Sequence, residues 1–500
     1  MRLNKKLTVL FFIVLFFGIG ESVSAATYYV ANTGNDNCSG TAQTLGSSGT
    51  CAWKTLAKVN GRTFSPGDSI LFKRGDTWNE RLIIPSSGTA GNPITFGAYG
   101  TGNKPVFDGT GVVIPHWRGL IFGDTKNYIT VTDIRVQNSG IGIGSTVENY
   151  GIGFYGGTGI TVQNCEVYNV DSYGIFANTS SNVRYLNNDV SRASCYSWGE
   201  QITVSVVNGF EIAYNKSHDD CPNGGGGGGS GIDAKGGSSN GTIHHNEVYN
   251  LTTPLAVGIY VDAWDATTHN VQVYNNYVHN IAGGGGLSVG AEAGGTIYDI
   301  TFHHNIVTNA QDGFTMHDEG TTGGPVYNIY FYNNTLYLNG KADQDWHGGV
   351  RILDSLLSTG GVTFKNNIIA NSYNYQIGYY HSLVQLTDIV ANYNVIYGIN
   401  SGGYAYNSGT NTITSNPLFV NAAGNNFTLQ SGSPARNACD NSVWQGKPNI
   451  TDYNGVKITD SSGNLVAPGG RVDCGAIEYG EGTGGTDTIP PSIPTGLSVQ

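Results

Sequence analysis

The chain has 500 residues, 74 of them glycine, with only 12% charged residues and a formal net charge of -12. That acidity argues against nucleic acid and against an anionic membrane surface as partners. A hydrophobic share of 39% with 30 tyrosines excludes collagen and disordered linkers, so the glycines belong to the turns of an all-β protein.

Residues 1–25 read as a secretory signal: a basic "MRLNKK", an apolar "LTVLFFIVLFFGIG", and "ESVSA" ending in small residues, with cleavage near Ala25. The apolar run is short for a membrane span, and no later segment resembles one. An exported chain, extracellular or periplasmic and without membrane insertion, is expected. Export permits disulfides among the seven cysteines. Cys38 and Cys51 bracket a short loop, Cys439 and Cys474 the C-terminal region, and the absence of a CxxC pair argues against zinc. Within 26–110, "TYYVA" and "DSILFKRG" read as strands and "AWKTLAKVN" as a short amphipathic helix.

A repeat dominates residues 111–415. "VRYLNNDV" (183–190), "FEIAYNKS" (210–217), "GTIHHNEV" (241–248), "VQVYNNYV" (271–278), "ITFHHNIV" (300–307), "IYFYNNTL" (329–336) and "VTFKNNII" (362–369) share one template. It places asparagine at 188, 215, 246, 276, 305, 334 and 367, with Asn394 as an eighth. A period near 30 residues, with short β segments and no helical pattern, predicts one coil of a parallel β-helix per repeat, about ten coils in all. Stacked coils set these asparagines about 4.8 Å apart as an inward ladder. "ITVQNCEV" (160–167) puts Cys165 in the asparagine slot, as a buried free thiol. Cys195 and Cys221 fall at nearly the same place on neighbouring coils, which predicts their pairing. His244, Tyr274, His303 and Tyr332 hold one position in four successive coils, an outward aromatic stack rather than a metal site. The six-glycine run at 224–229 is no phosphate loop, since no helix follows it.

"TYYVANTGND", "GDSILFKRGDTWNERLIIPSSGTAGNPITFGAYG" and "KPVFDG" resemble the opening of secreted bacterial right-handed parallel β-helix proteins, a group with polysaccharide lyases and glycoside hydrolases. "NPLFVNAAGNNFTLQSGSPARNA" with "VDCGAIEYG" is similar to that group's closing segment. The resemblance spans roughly 27–480 and implies a right-handed coil with 26–110 as its N-terminal cap and 416–480 as its closing segment. A linker at 481–488 follows, and "PPSIPTGLSV" within 489–500 resembles the first strand of a fibronectin type III domain, here cut short.

The chemistry concentrates in "GIDAKGGSSN". On a strand, Asp233 and Lys235 point one way and Ile232 and Ala234 the other. Counted back from the ladder, Asp233, Asp262 and Glu292 lie 13, 14 and 13 residues before their asparagines, with Lys235 and Asp265 each 11 before theirs. Aligning instead on Gly231, Gly258 and Gly286 sets Tyr260 and Ser288 level with Asp233. Later coils add His317, Asp318, Glu319, Arg351 and Asp354, and Tyr260, Trp264 and Trp346 are interleaved. Acids on adjacent coils repel by about 3 kcal/mol at an effective dielectric near 20; a raised carboxyl pKa or a bound calcium on Asp233, Asp262 and Glu292 would relieve this.

Three functions follow. A glycoside hydrolase would use Asp262 and Glu292 as acid and base, with Asp233 tuning them and Lys235 bonding a sugar hydroxyl. Asp265, Tyr260, Trp264, His317 and Arg351 would then bind substrate. A calcium-dependent lyase on a uronic-acid polymer would use Lys235 as base; "GIDAKGGSSN" resembles in placement the lysine-bearing strand of chondroitinase-B-like and alginate lyases, which carry an arginine soon after where this chain brings Asp262 and Asp265. A non-catalytic glycan-binding module is the third. The acidic face disfavours a polyanion without calcium, so the hydrolase on a polysaccharide or other glycan is favoured. No cofactor other than calcium is indicated, and a monomer is expected.

Overall fold

In the computed structural model, the described residues are 24–141, 148–195, 199–221, 228–318, 323–353, 361–379, 386–400, 405–406 and 409–480. Residues 1–23 of the expected signal sequence, most of the six-glycine run, Glu319, Asp354, the expected linker and the fibronectin-like end lie outside them.

The chain winds as a parallel β-helix of about ten coils, with 32 strands joined into one sheet. The middle coils run over three faces, some with a separate strand on each and others with one strand turning from face to face, as Ile175–Leu186 and Tyr277–Ala291 do. The first face includes Ile232–Lys235 and Ile259–Asp262, the second Ser239–His244, and the third Glu247–Leu251. Alternation fixes the inside: Ile232, Ala234, Ile243 and Val248 have no exposed surface and join a core running the length of the coil. The predicted helix over 52–60 forms only at Leu56–Asn60, because Thr55 caps it by accepting from Lys58 N at 3.1 Å. "TYYVA" and "DSILFKRG" form Thr27–Val30 and Ser69–Lys73, paired in parallel.

The ladder is continuous from Asn188 to Asn394. At each rung, the backbone N and Nδ2 both donate to the next asparagine's Oδ1; from Asn246 to Asn276 the two distances are 3.0 Å. Nδ2 also donates to a carbonyl of the preceding coil, as Asn246 does to Ile212 O at 2.9 Å. The residue before each rung turns the corner at positive φ, including Asn187, His245, Asn275 and Asn333. Cys165 begins the column: its backbone N donates to Asn188 Oδ1 at 3.0 Å, and burial raises its thiol pKa to about 12. Disulfides join Cys38–Cys51, Cys195–Cys221 and Cys439–Cys474, and Cys165 is free. Non-reducing peptide mapping should recover these three pairs, and iodoacetamide should label Cys165 only after denaturation; labelling of the native chain would show that the thiol is not in the core.

His244, Tyr274 and His303 stack outside the coil at 4.7 and 4.9 Å. Tyr332 continues the column but meets Trp444 edge-on instead. Trp444 belongs to residues 416–480, which fold back along the flank of the coil and bond Asn275, Asn333 and Asn366. Trp444 packs on His303 and on its corner neighbour His304, both buried, and burial lowers the His304 pKa to about 3.

Candidate active site

Glycines precede most first-face strands for a steric reason. A Cβ at Gly231, Gly258 or Gly286 would come within 2.4, 2.5 or 2.3 Å of a third-face valine Cγ1 (Val248, Val278, Val307). The glycine slot therefore lets the third face close beneath the first, and it sets the register. Asp233 pairs with Tyr260 and Tyr260 with Ser288, while Asp262 pairs with Gly290. The asparagine-based count is thus corrected: Asp233, Asp262 and Glu292 do not share one column. The connections between first face and ladder differ in length, so distance from the asparagine does not transfer between coils. Asp262 falls one step beyond Val261, level with Lys235, and Glu292 lies past the end of its strand.

The cluster survives this correction, because Tyr260 bridges the coils. Its hydroxyl donates to Glu292 Oε1. Asp233 and Asp262 face outward yet are only 2% and 3% exposed, and each has an Oδ1 without a hydrogen-bond partner among the described residues. Burial, then the charge of Glu200 and Glu292 against the opposing pull of Lys235, brings the Asp233 carboxyl pKa up to about 8. Burial and the charges of Asp233 and Glu292 hold Asp262 well above the carboxylate range. The same low-dielectric surroundings raise the Tyr260 phenol. Both carboxyls are therefore shifted toward the protonated form relative to a solvated aspartate.

Lys235 is held in the charged form. Its Nζ lies 2.6 Å from Glu200 Oε1 and 3.4 Å from Asp233 Oδ2, and 5.6 Å from the Tyr173 ring centre. Burial works against the ammonium, but Glu200, Tyr173 and Asp233 outweigh it and raise the Lys235 pKa well above normal. Glu200 and Tyr173 were missed by the sequence reading. Glu200 lies one coil upstream, where Gln201 replaces the glycine that marks the slot, and Thr203 Oγ1 donates to it at 3.1 Å. The pairing of Ile202 with Ile232 was the signal that could have located it.

Upstream on this face, Tyr150, Tyr173 and Phe176 form an aromatic cluster with ring centres 4.4 to 5.5 Å apart. Downstream, Arg351 continues the column of Asp233, four coils along, with Nε 2.9 Å from Asp312 Oδ2. The His317 and Asp318 backbones pair with Gly290 and Ala291, so His317 follows Asp262 in register. Trp264 and Asp265 are exposed where the chain leaves the first face, and Asp265 N donates to Glu292 O at 3.2 Å. Asp265 is therefore not beside Lys235 as the count had it. Calcium does not fit the acids: Lys235 already stands against Asp233, Glu292 is bonded to Tyr260, and no three acids or histidines among the described residues are grouped to hold an ion.

The family described as "Right handed beta helix region" matches residues 118–336. No curated protein matches the sequence. Among solved structures, pectate lyase Pel9A aligns with a TM-score of 0.51 at 16% identity, over 92% of this chain and 98% of that one. XylC in complex with xylose gives 0.49 at 12% identity, over 79% and 87% of the two chains. A GH136 lacto-N-biosidase from Eubacterium ramulus gives 0.43 at 17%, over 62% of this chain; the match spans 64% of that enzyme's length. What this chain shares with Pel9A, through nearly its whole length, is the right-handed parallel β-helix.

Proposed function

We propose that the chain is an exported carbohydrate-active enzyme, a glycoside hydrolase whose paired carboxyl groups lie on the first face. The observation that carries this reading is the buried Asp262, with an Oδ1 unpartnered among the described residues and a carboxyl pKa pushed upward by burial, near the half-buried Glu292 in a site that also holds Asp233 and Lys235. Hydrolysis needs one carboxyl that donates a proton to the leaving oxygen and one that acts as base or nucleophile. Asp262 is suited to the first role. Glu292, oriented by the Tyr260 hydroxyl, is suited to the second. Asp233, once ionised, raises its neighbour's proton affinity, and the Lys235 ammonium bonds a sugar hydroxyl.

The lyase alternative asks Lys235 to accept a proton from a sugar carbon. Glu200 opposes this, because its carboxylate lies 2.6 Å from Nζ and stabilises the protonated amine. Product chemistry separates the two readings on neutral and uronate polysaccharides, with and without chelator. A hydrolase releases reducing ends without the near-ultraviolet absorbance of a 4,5-unsaturated sugar. Lys235→Arg, which keeps the charge but cannot serve as base, should reduce turnover by no more than about tenfold. An unsaturated product abolished by this substitution would establish the lyase, and binding without cleavage would establish the module.

The pH profile has a defined sign. Asp233 loses its proton as pH climbs past about 8, and its new negative charge makes Asp262 hold its own proton more tightly and give it up less readily to the leaving oxygen. Activity should fall above about pH 8, and Asp233→Asn should shift or remove that limb. A limb unchanged in the variant would assign it to another group.

A further inference from the structure

We infer that a second glycan-binding cleft, separate from the acid cluster, lies at the corner between the third and first faces and takes a pyranose ring through its hydroxyls. The cavity measures about 330 Å³ and is lined by Asn250, Asn280, Asn309, Gln311 and Lys341 among others. That volume lies at the lower end for small-ligand pockets. Its floor is an exposed amide ladder: Asn309 Nδ2 donates to Asn280 Oδ1 at 2.7 Å, Asn280 Nδ2 to Asn250 Oδ1 at 3.1 Å, and Asn250 Nδ2 to Asp219 Oδ1 at 3.0 Å. In the central rung each amide spends one N–H and one lone pair on its neighbours. The other N–H and lone pair remain for a ligand, one donor and one acceptor per coil, which is the pattern adjacent sugar hydroxyls require.

The wall is fixed from behind. Gln311 Oε1 accepts from Lys341 Nζ at 2.8 Å, and Gln311 Nε2 donates to His347 Nε2 at 2.8 Å. His347 Nδ1 in turn lies 2.8 Å from the fully buried Asp312. Lys341 and Trp346 belong to one projecting turn, and that turn is clamped. A single amide, Asn374 Nδ2, donates to Lys341 O, Gln344 O and His347 O at 3.1, 2.8 and 2.9 Å, and the Tyr375 hydroxyl donates to Trp346 O. The turn thus fixes the backbone that carries Lys341 at the edge of the amide floor. Preorganised amides and a cation together suit a sugar's hydroxyls, with Lys341 favouring a ring that bears a carboxylate.

Titrating the full chain with xylose, galactose and galacturonate at high millimolar concentration tests this by NMR. At least one sugar should shift the Asn280 and Asn309 side-chain amide signals saturably. Asn280→Ala and Asn309→Ala, both at exposed positions, should each weaken that binding about tenfold, or 1.4 kcal/mol. Lys341→Gln should weaken galacturonate more than galactose. Asp262→Asn should leave these shifts intact, so failure of the acid cluster and failure of this cleft read out separately. No saturable shift with any of the three sugars, or shifts that survive both alanine substitutions, would overturn the proposal.

Discussion

Asp262→Asn should lower turnover of any glycan the chain cleaves by at least about a hundredfold, and it should do so without unfolding the coil. The amide keeps the shape of the carboxylic acid but has no proton to give. Burial already disfavours the charged form of Asp262, so a neutral substitute removes a cost rather than a contact. A carboxyl whose folded pKa lies above its unfolded value destabilises the fold at pH values above that unfolded value, and this penalty disappears in the variant. The variant should therefore melt no lower than the parent near pH 7, and Glu292→Gln should lose activity comparably. Full activity in both variants would remove these residues from the mechanism. A marked drop in melting temperature accompanying the loss of activity would make their role structural.

The largest expected loss of stability is at the ladder. Asn276 accepts from Asn246 N and Nδ2 at 3.0 Å and donates through Nδ2 to Ile243 O and Asn305 Oδ1, both at 2.9 Å. Alanine would leave two buried N–H groups and a buried carbonyl without these partners. At about 1–3 kcal/mol for each group, partly recovered by relaxation, Asn276→Ala should cost about 3–5 kcal/mol. Asn240 is also an asparagine but stands exposed at a corner with φ 56°. Asn240→Gly, which suits that backbone conformation, should stay within about 0.5 kcal/mol. Equal melting temperatures for the two variants would show that the inward amides do not carry the stability assigned to them.

The fold was legible because its constraint repeats. Each rung needs a buried amide at one position of each coil, and the same letter therefore recurs at 188 through 394. Cys165 was legible for the same reason, as an exception in a known slot. The chemistry was legible only in part. Asp233 and Lys235 could be assigned to one face from alternation alone, since that depends on neighbours in sequence. The relation of Asp233 to Asp262 and Glu292 depends on how many residues each connection inserts, and the asparagine spacing does not carry that number. The glycines at 231, 258 and 286 do carry it, because each sits opposite a particular valine. Glu200 escaped both rulers, standing next to Gln201 in a coil where the marking glycine is absent.

The inward ladder has a consequence for how such a chain can change. Spacings between rungs vary from 27 to 33 residues, yet the amides meet at nearly constant distance throughout. An insertion in one coil is cancelled before the next begins, as a surveyor's error is cancelled at each fixed benchmark instead of growing with distance. Peripheral segments such as the turn bearing Lys341 and Trp346 can therefore lengthen or shorten without displacing Asp233, Tyr260 or Asp262. Selection could remodel what the surface grips while the reacting groups keep their places.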